Sequence, residues 1–179
     1  MRTLRVVIVV VLTGVCALAQ TANVEAKTKP TLPCKFKGAK TYPGDSASRS
    51  EIAKWMAEGA LKAGLPVELP VMGALVESDL TNLAYGDSDA VGFFQMRVSI
   101  WNSGPYAGFP DHPDLQLQWF VDQALAVERI RLAEGIPLDV LLTDESRYGD
   151  WVADVLRPAE EFRGRYQLRL ADARSLICS

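Results

Sequence analysis

The sequence predicts one mainly helical domain, and three observations carry that expectation. Apolar residues recur at helical spacing in five segments after residue 48. No stretch alternates apolar and polar residues over strand length; only residues 91–100 leave room for a short β-ribbon. The chain has 179 residues, 49% of them hydrophobic, which suits one core of ordinary size and two only if both are small.

Ahead of that domain stands a segment of different character. Arg2 and Arg5 precede an almost wholly apolar run at residues 6–19, shorter than the roughly 20 residues a membrane span needs. With the small-x-small triplet Ala17-Leu18-Ala19, residues 1–26 read as a secretory signal peptide. The cut is expected after residue 19, or after residue 26 behind Val24-Glu25-Ala26. Cys16 lies inside this segment, and Thr13 stands where a lipobox has Leu. The mature chain is thus expected in the cell envelope or outside it, with no stable membrane span. Residues 27–47 form a basic lead-in. Lys27, Lys29, Lys35, Lys37 and Lys40, with Arg49 just beyond, face one acid, Asp45.

The helices come in order along the chain. Ser48 with Glu51 three residues on resembles a capping box, and Ile52, Trp55, Met56 and Gly59-Ala60 keep one face until Gly64 stops the run. A second helix is expected near Pro70, turning Val71, Met72, Leu75 and Val76 inward. A third spans about residues 114–132, with Leu117, Phe120, Val121, Ala124 and Val127 on one face and Gly135 beyond it. Trp151, Val152, Val155 and Leu156 mark a fourth. Pro158 opens a last one, with a stripe of Phe162, Tyr166, Leu170, Ala173 and Ile177.

Composition narrows the chemistry. His112 is the one histidine, so a Ser-His-Asp or Cys-His enzyme must use it; between Asp111 and Pro113 it reads as a surface residue at a helix entry. Three cysteines and one histidine leave little for zinc or an iron–sulfur cluster, and no metal or cofactor is expected. Loss of Cys16 with the signal leaves Cys34 and Cys178, an even pair in an exported chain, expected to be bridged. From Glu51 to Asp154 there are 17 acids against six bases, and the end of the chain turns basic again through Arg157, Arg163, Arg165, Arg169 and Arg174. A basic tail suits retention beside an anionic envelope, or plain solvation. Nothing in the pattern calls for nucleic acid, and a monomer is expected. The chemistry therefore falls to carboxylates.

Residues 71–101, VMGALVESDLTNLAYGDSDAVGFFQMRVSIW, are the most informative. Glu77 ends an apolar helix, where desolvation raises a carboxyl pKa, as a general acid near neutral pH requires. A polar loop comes next, through Asn82, Gly86, Asp87, Ser88 and Asp89. Gly92-Phe93-Phe94-Gln95 then ends in an amide able to bond a hydroxyl or acetamido group. A helix-terminal Glu is by itself more often a solvated or capping residue.

This block resembles the lysozyme-like superfamily, in particular the catalytic core of soluble lytic transglycosylases and goose-type lysozymes. Glu77-Ser78 is similar to that family's catalytic Glu-Ser pair at a helix end. Gly92-Phe93-Phe94-Gln95 is similar to its Gly-Leu-Met-Gln turn, and Tyr85-Gly86-Asp87-Ser88-Asp89 to a loop variant of secreted cell-wall enzymes. The resemblance implies a lysozyme-like catalytic domain at residues 48–179 that cleaves the β-1,4 bond between N-acetylmuramic acid and N-acetylglucosamine in peptidoglycan strands. It makes Glu77 the catalytic acid and implies substrate contacts at Ser78, Tyr85 and Gln95. Trp101, Tyr106 and Phe109 are candidates to stack on sugars, with core packing the alternative. Asp87 and Asp89 are the candidate second carboxylates, with loop capping the alternative. The goose-type pattern has an acid two residues after the Gln, where this chain has Arg97. The Ala-Tyr-Asn-Ala-Gly stretch of transglycosylases is absent; Arg147-Tyr148-Gly149-Asp150-Trp151 stands near that place, which makes Tyr148 a candidate groove residue. A single-carboxylate transglycosylase is the leading expectation. A muramidase and a glycan-binding protein without turnover are the alternatives.

Overall fold

The computed structural model describes residues 29–179. The signal-peptide expectation at 1–26, with Cys16, lies outside the described residues. Those described form a mainly helical domain with one small β-ribbon, as the sequence predicts.

Helix α1, Arg49–Ala63, has both halves of its capping box: the Ser48 amide donates to Glu51 Oε2 at 2.8 Å, and the Glu51 amide to Ser48 Oγ at 3.3 Å. Left-handed Gly64 closes it, and the amides of Gly64 and buried Leu65 reach back to the carbonyls of Leu61 and Ala60. Helix α2, Glu68–Glu77, starts two residues before Pro70. Its residues from Glu68 to Leu75 are all buried, and it packs against α1 and three later helices. Tertiary burial, not a side-chain cap, defines this start, because Val67 makes no capping bond.

The ribbon pairs Ala90 with Arg97 and Val91 with Met96 in two-residue antiparallel strands, β1 (Ala90–Val91) and β2 (Met96–Arg97). It is shorter than residues 91–100 allow, because the chain turns helical at α3, Val98–Trp101. Asp89 explains the switch. Its backbone carbonyl accepts the Val98 amide at 3.1 Å and its carboxylate the Ser99 amide at 2.7 Å, which satisfies the first donors of α3.

Helix α4, Pro113–Ala133, runs as expected, with exposed His112 at its entry. The short α5, Leu138–Thr143, buries Leu141 and Leu142 and carries too little periodicity to be seen beforehand. Helix α6, Tyr148–Leu156, lies against α2 and α4. The single last helix expected from Pro158 is a correction. Residues Glu160–Arg165 and Gln167–Arg169 form 3₁₀ turns, and only Leu170–Cys178 is α-helical, as α7. The Gln167 side chain accepts from the Gly149 amide at 2.7 Å and donates to the Glu145 carbonyl at 3.1 Å, which holds this segment tight against α6. Phe162, expected inward, is therefore exposed beneath Arg165, while Tyr166, Ala173 and Ile177 are buried.

Cys34 and Cys178 form the expected disulfide, with Cα atoms 5.9 Å apart across 144 residues. A closed loop of that length is worth about 5 kcal/mol in the chain-entropy account. The bridge fixes the basic lead-in to the end of α7. No helix among the described residues is long and apolar enough to cross a membrane.

Candidate active site

Glu77 is the last residue of α2 and is half-buried. Its Oε1 accepts a 2.6 Å hydrogen bond from the Tyr166 hydroxyl. Burial pushes the Glu77 carboxyl above the ordinary carboxyl range, and the tyrosine bond pulls it partly back. The C-terminal end of the helix dipole also disfavours an anion there. Tyr166 is itself 1% exposed, and burial followed by the Glu77 carboxylate holds its phenol far above its usual value. It is a neutral donor at any working pH. Among the described residues no cation forms an ion pair or hydrogen bond with Glu77, so its proton stays on to higher pH than an ordinary carboxyl's.

The chain leaves Glu77 through a tightly determined turn. Ser78 is buried, and its hydroxyl lies 3.1 Å from the Ala74 carbonyl and 2.9 Å from that of Phe93, linking the helix end to the turn after β1. Asp79 and Leu80 both take left-handed conformations, with φ of 53° and 60°. Such residues cost about 1–2 kcal/mol each; burial of Leu80, 1% exposed, offsets this. The resemblance made Ser78 a substrate contact. Its buried position makes it the joint between α2 and the loop.

The loop is organised by two amides. The Gln95 amide group lies 3.4 Å from the Tyr85 carbonyl and 3.2 Å from that of Gly92. A Cβ on Gly86 would sit 1.8 Å from Gln95 Oε1, so only glycine permits this approach. Gln95 is half-buried, and its donor group serves the loop. The second amide is Gln116, 0% exposed, which no sequence motif singles out. It accepts from the Phe93 amide at 2.8 Å and donates to the Phe109 carbonyl and Asn82 Oδ1 at 3.2 and 3.1 Å. A Cβ on Gly92 would lie 2.2 Å from Gln116 Oε1.

The remaining candidates separate clearly. Asp89 is engaged by Arg97 Nε at 2.8 Å and by the Ser99 amide, and these bonds hold its carboxyl far below the ordinary range. It caps the loop and the helix, the alternative to a second catalytic carboxylate. Asp87 is exposed, and its carbonyl accepts the Ala90 amide. Tyr85 is 73% exposed. Trp101 is half-buried, edge-on to Trp119 and Tyr106 at 5.2 and 6.2 Å. Tyr106 bonds Asp122, and Phe109 lies wholly in the core, which removes it as a stacking surface. Tyr148 is likewise a correction. It is 1% exposed and its hydroxyl donates to the Leu142 carbonyl at 2.7 Å, so it has no face to offer a groove.

No family model matches the chain, and neither does any curated protein or solved structure. The site therefore rests on its own geometry. Its missed member is Tyr166, read from sequence only as part of an apolar stripe. The available signal was chemical: a tyrosine at a core position needs a hydrogen-bond partner, and a carboxyl at a buried helix end needs a donor. Among the described residues no group of three His, Cys, Asp or Glu is placed to hold a metal ion.

Proposed function

We propose that this is an extracytoplasmic, lysozyme-like enzyme that cleaves the N-acetylmuramic acid–N-acetylglucosamine bond of peptidoglycan without consuming water. The observation that carries the reading is Glu77: a desolvated carboxyl at a helix end, held by one neutral hydroxyl, within the Glu-Ser…Gly-Phe-Phe-Gln block. The Cys34–Cys178 bridge is compatible with the extracytoplasmic part.

The protonated Glu77 carboxyl delivers its proton to the glycosidic oxygen as the bond from the muramic acid C1 breaks. The leaving sugar departs as a 4-hydroxyl, and positive charge develops on the ring as an oxocarbenium ion. The resulting Glu77 carboxylate removes the proton from the muramic acid 6-hydroxyl while that oxygen bonds to C1. The product is a 1,6-anhydro ring, and Glu77 is reprotonated. Tyr166 keeps its proton throughout and orients the carboxylate in both halves.

The muramidase alternative needs a second carboxylate, about 6.5–9.5 Å from the acid for inversion or about 5–5.5 Å for retention. Asp89 is committed to Arg97 and Ser99, which leaves exposed Asp87 as the loop's candidate. Zymography on peptidoglycan gels tests the enzyme reading. Wild type should clear the gel and Glu77→Gln should not. Binding of peptidoglycan by both proteins with clearing by neither would favour a glycan-binding role.

A further inference from the structure

Val76, Arg165, Leu168 and Arg169 line a cleft of about 410 Å³. Val76 precedes Glu77 and Arg165 precedes Tyr166, so the chain neighbours of both partners in the 2.6 Å bond stand in the wall of this cleft. A second cleft of about 360 Å³ shares Arg169 and includes Arg49, Asp79 and Asp172 in its lining. The first cleft has two guanidinium groups and no acid in its wall. Among the described residues Arg165 has no carboxylate partner; its guanidinium lies 4.0 Å from the centre of the Phe162 ring. That stacking leaves the N–H edge of the fork open to an oxyanion. Arg169 has one exposed partner, Asp172, at 3.2 Å. Leu168, 78% exposed, and Val76 add apolar surface beside this charge.

We propose that Arg165, assisted by Arg169, receives a carboxylate carried on the 3-O-lactyl arm of the muramic acid being cleaved. The inference rests on the proposed function. In a strand of alternating N-acetylglucosamine and N-acetylmuramic acid, every anionic group hangs from the lactyl arm. That group is the lactyl carboxylate itself where the peptide is absent, or the carboxylates of the stem peptide where it is attached. The arm belongs to the sugar whose C1 reacts at Glu77, which places it within one sugar of the carboxyl, and the cleft begins one residue away. Leu168 and Val76 suit the methyl groups of the lactyl arm and of an attached alanine. Arg165 is a specificity residue in this role and takes no part in proton transfer.

The test uses the chain carrying Glu77→Gln, which leaves bound ligands intact, and three tetrasaccharides. The first is a chitin tetramer without carboxylates, the second a peptide-free alternating tetramer, the third the same tetramer with stem peptides. Adding Arg165→Gln should weaken the carboxylate-bearing ligands by about tenfold, the size of one charge-assisted hydrogen bond. Chitin affinity should stay within about twofold, the salt dependence should flatten, and Arg165→Lys should recover part of the loss. Weakening of the peptide-free ligand alone assigns the lactyl carboxylate, weakening of the peptide-bearing one alone assigns the stem carboxylates, and weakening of both assigns a site that takes either carboxylate. Equal effects on all three ligands, or none, would overturn the proposal while leaving the Glu77 reading intact. Failure of the parent to bind any of them, with no clearing by wild type, would instead overturn the proposed function beneath it.

Discussion

The two ends of α2 each carry a glutamate that burial pushes above the ordinary carboxyl range. At the start, Glu68 is 0% exposed and its Oε1 meets Arg174 Nε at 2.9 Å, while Arg174 also grips Glu145 at 2.6 and 2.8 Å. At the finish, Glu77 is half-buried and meets only the Tyr166 hydroxyl. A cation holds Glu68 and the helix dipole favours its negative charge; a neutral donor holds Glu77 and the dipole opposes its charge. The contrast separates a buried carboxyl fixed in an ion pair from one held by a neutral donor, the setting that the proposed acid requires. An ion-paired glutamate that clamps α2, α7 and the 145 turn cannot release and recover a proton without breaking the clamp. One held by a neutral hydroxyl can.

Three substitutions probe the two ends, and a fourth probes the loop that follows. Glu77→Gln should lower turnover by about 10²–10⁴ and should not unfold the domain. The sign of its stability effect is fixed by the raised folded-state pKa: the wild-type carboxyl contributes fully below its unfolded pKa and loses that contribution as pH rises through the folded pKa. Thermal melts of Glu77→Gln should therefore match or exceed wild type near pH 7, with the difference vanishing in acid. A lower melting temperature at pH 7 would show that the ionised Glu77 carboxylate is held by more than the Tyr166 hydroxyl.

Arg174→Met should be the most damaging to stability, by about 3 kcal/mol, because it strands Glu68 uncompensated in the core. Denaturant unfolding measures it, and adding Glu68→Gln should recover much of the loss. Turnover per folded molecule should change little.

Tyr166→Phe should act on the other end of the helix and on the pH profile. The lost bond lowers the Glu77 pKa in wild type, so its removal should move the alkaline limb of the rate–pH curve to higher pH. The stability cost of one such bond is about 1 kcal/mol. A limb that moves down or stays put would deny Tyr166 contact with the working carboxyl.

Asp89→Asn should do least to turnover, a few-fold at most, because its carboxylate is already committed to Arg97 and Ser99. Its pKa is depressed in the fold, so its contribution is present above the ordinary carboxyl range and fades as pH falls. The melting temperature of Asp89→Asn should be slightly lower at pH 7 and equal to wild type in strong acid.

Features set by neighbours in the chain were legible in the sequence. The Ser48–Glu51 box and the Gly64 stop each need only a few adjacent residues, and both appear; the helix expected over about 114–132 spans Pro113–Ala133. The Cys34–Cys178 bridge was readable from parity once Cys16 was set aside. Glu77 was singled out by its position at the end of an apolar helix and by resemblance. Its partner was not, because Tyr166 lies 89 residues away, and Glu68 and Arg174 are separated by 106. Periodicity reports which face is buried, not which polar atoms meet across the core. The same limit misled the reading of Tyr148 as a groove residue, and it hid the 3₁₀ turns at residues 160–169, where Gln167 rather than a helical repeat sets the backbone.

The proposed reaction stands on Glu77 working as acid and then base with no second carboxylate. Mass analysis of the fragments released from purified peptidoglycan by the protein tests it directly. The expected products are muropeptides ending in 1,6-anhydro-muramic acid, each one water lighter than its hydrolysed counterpart, and none of them from Glu77→Gln. Fragments ending in reducing muramic acid would contradict this chemistry and point to a water held by another carboxylate, with Asp87 the first to test.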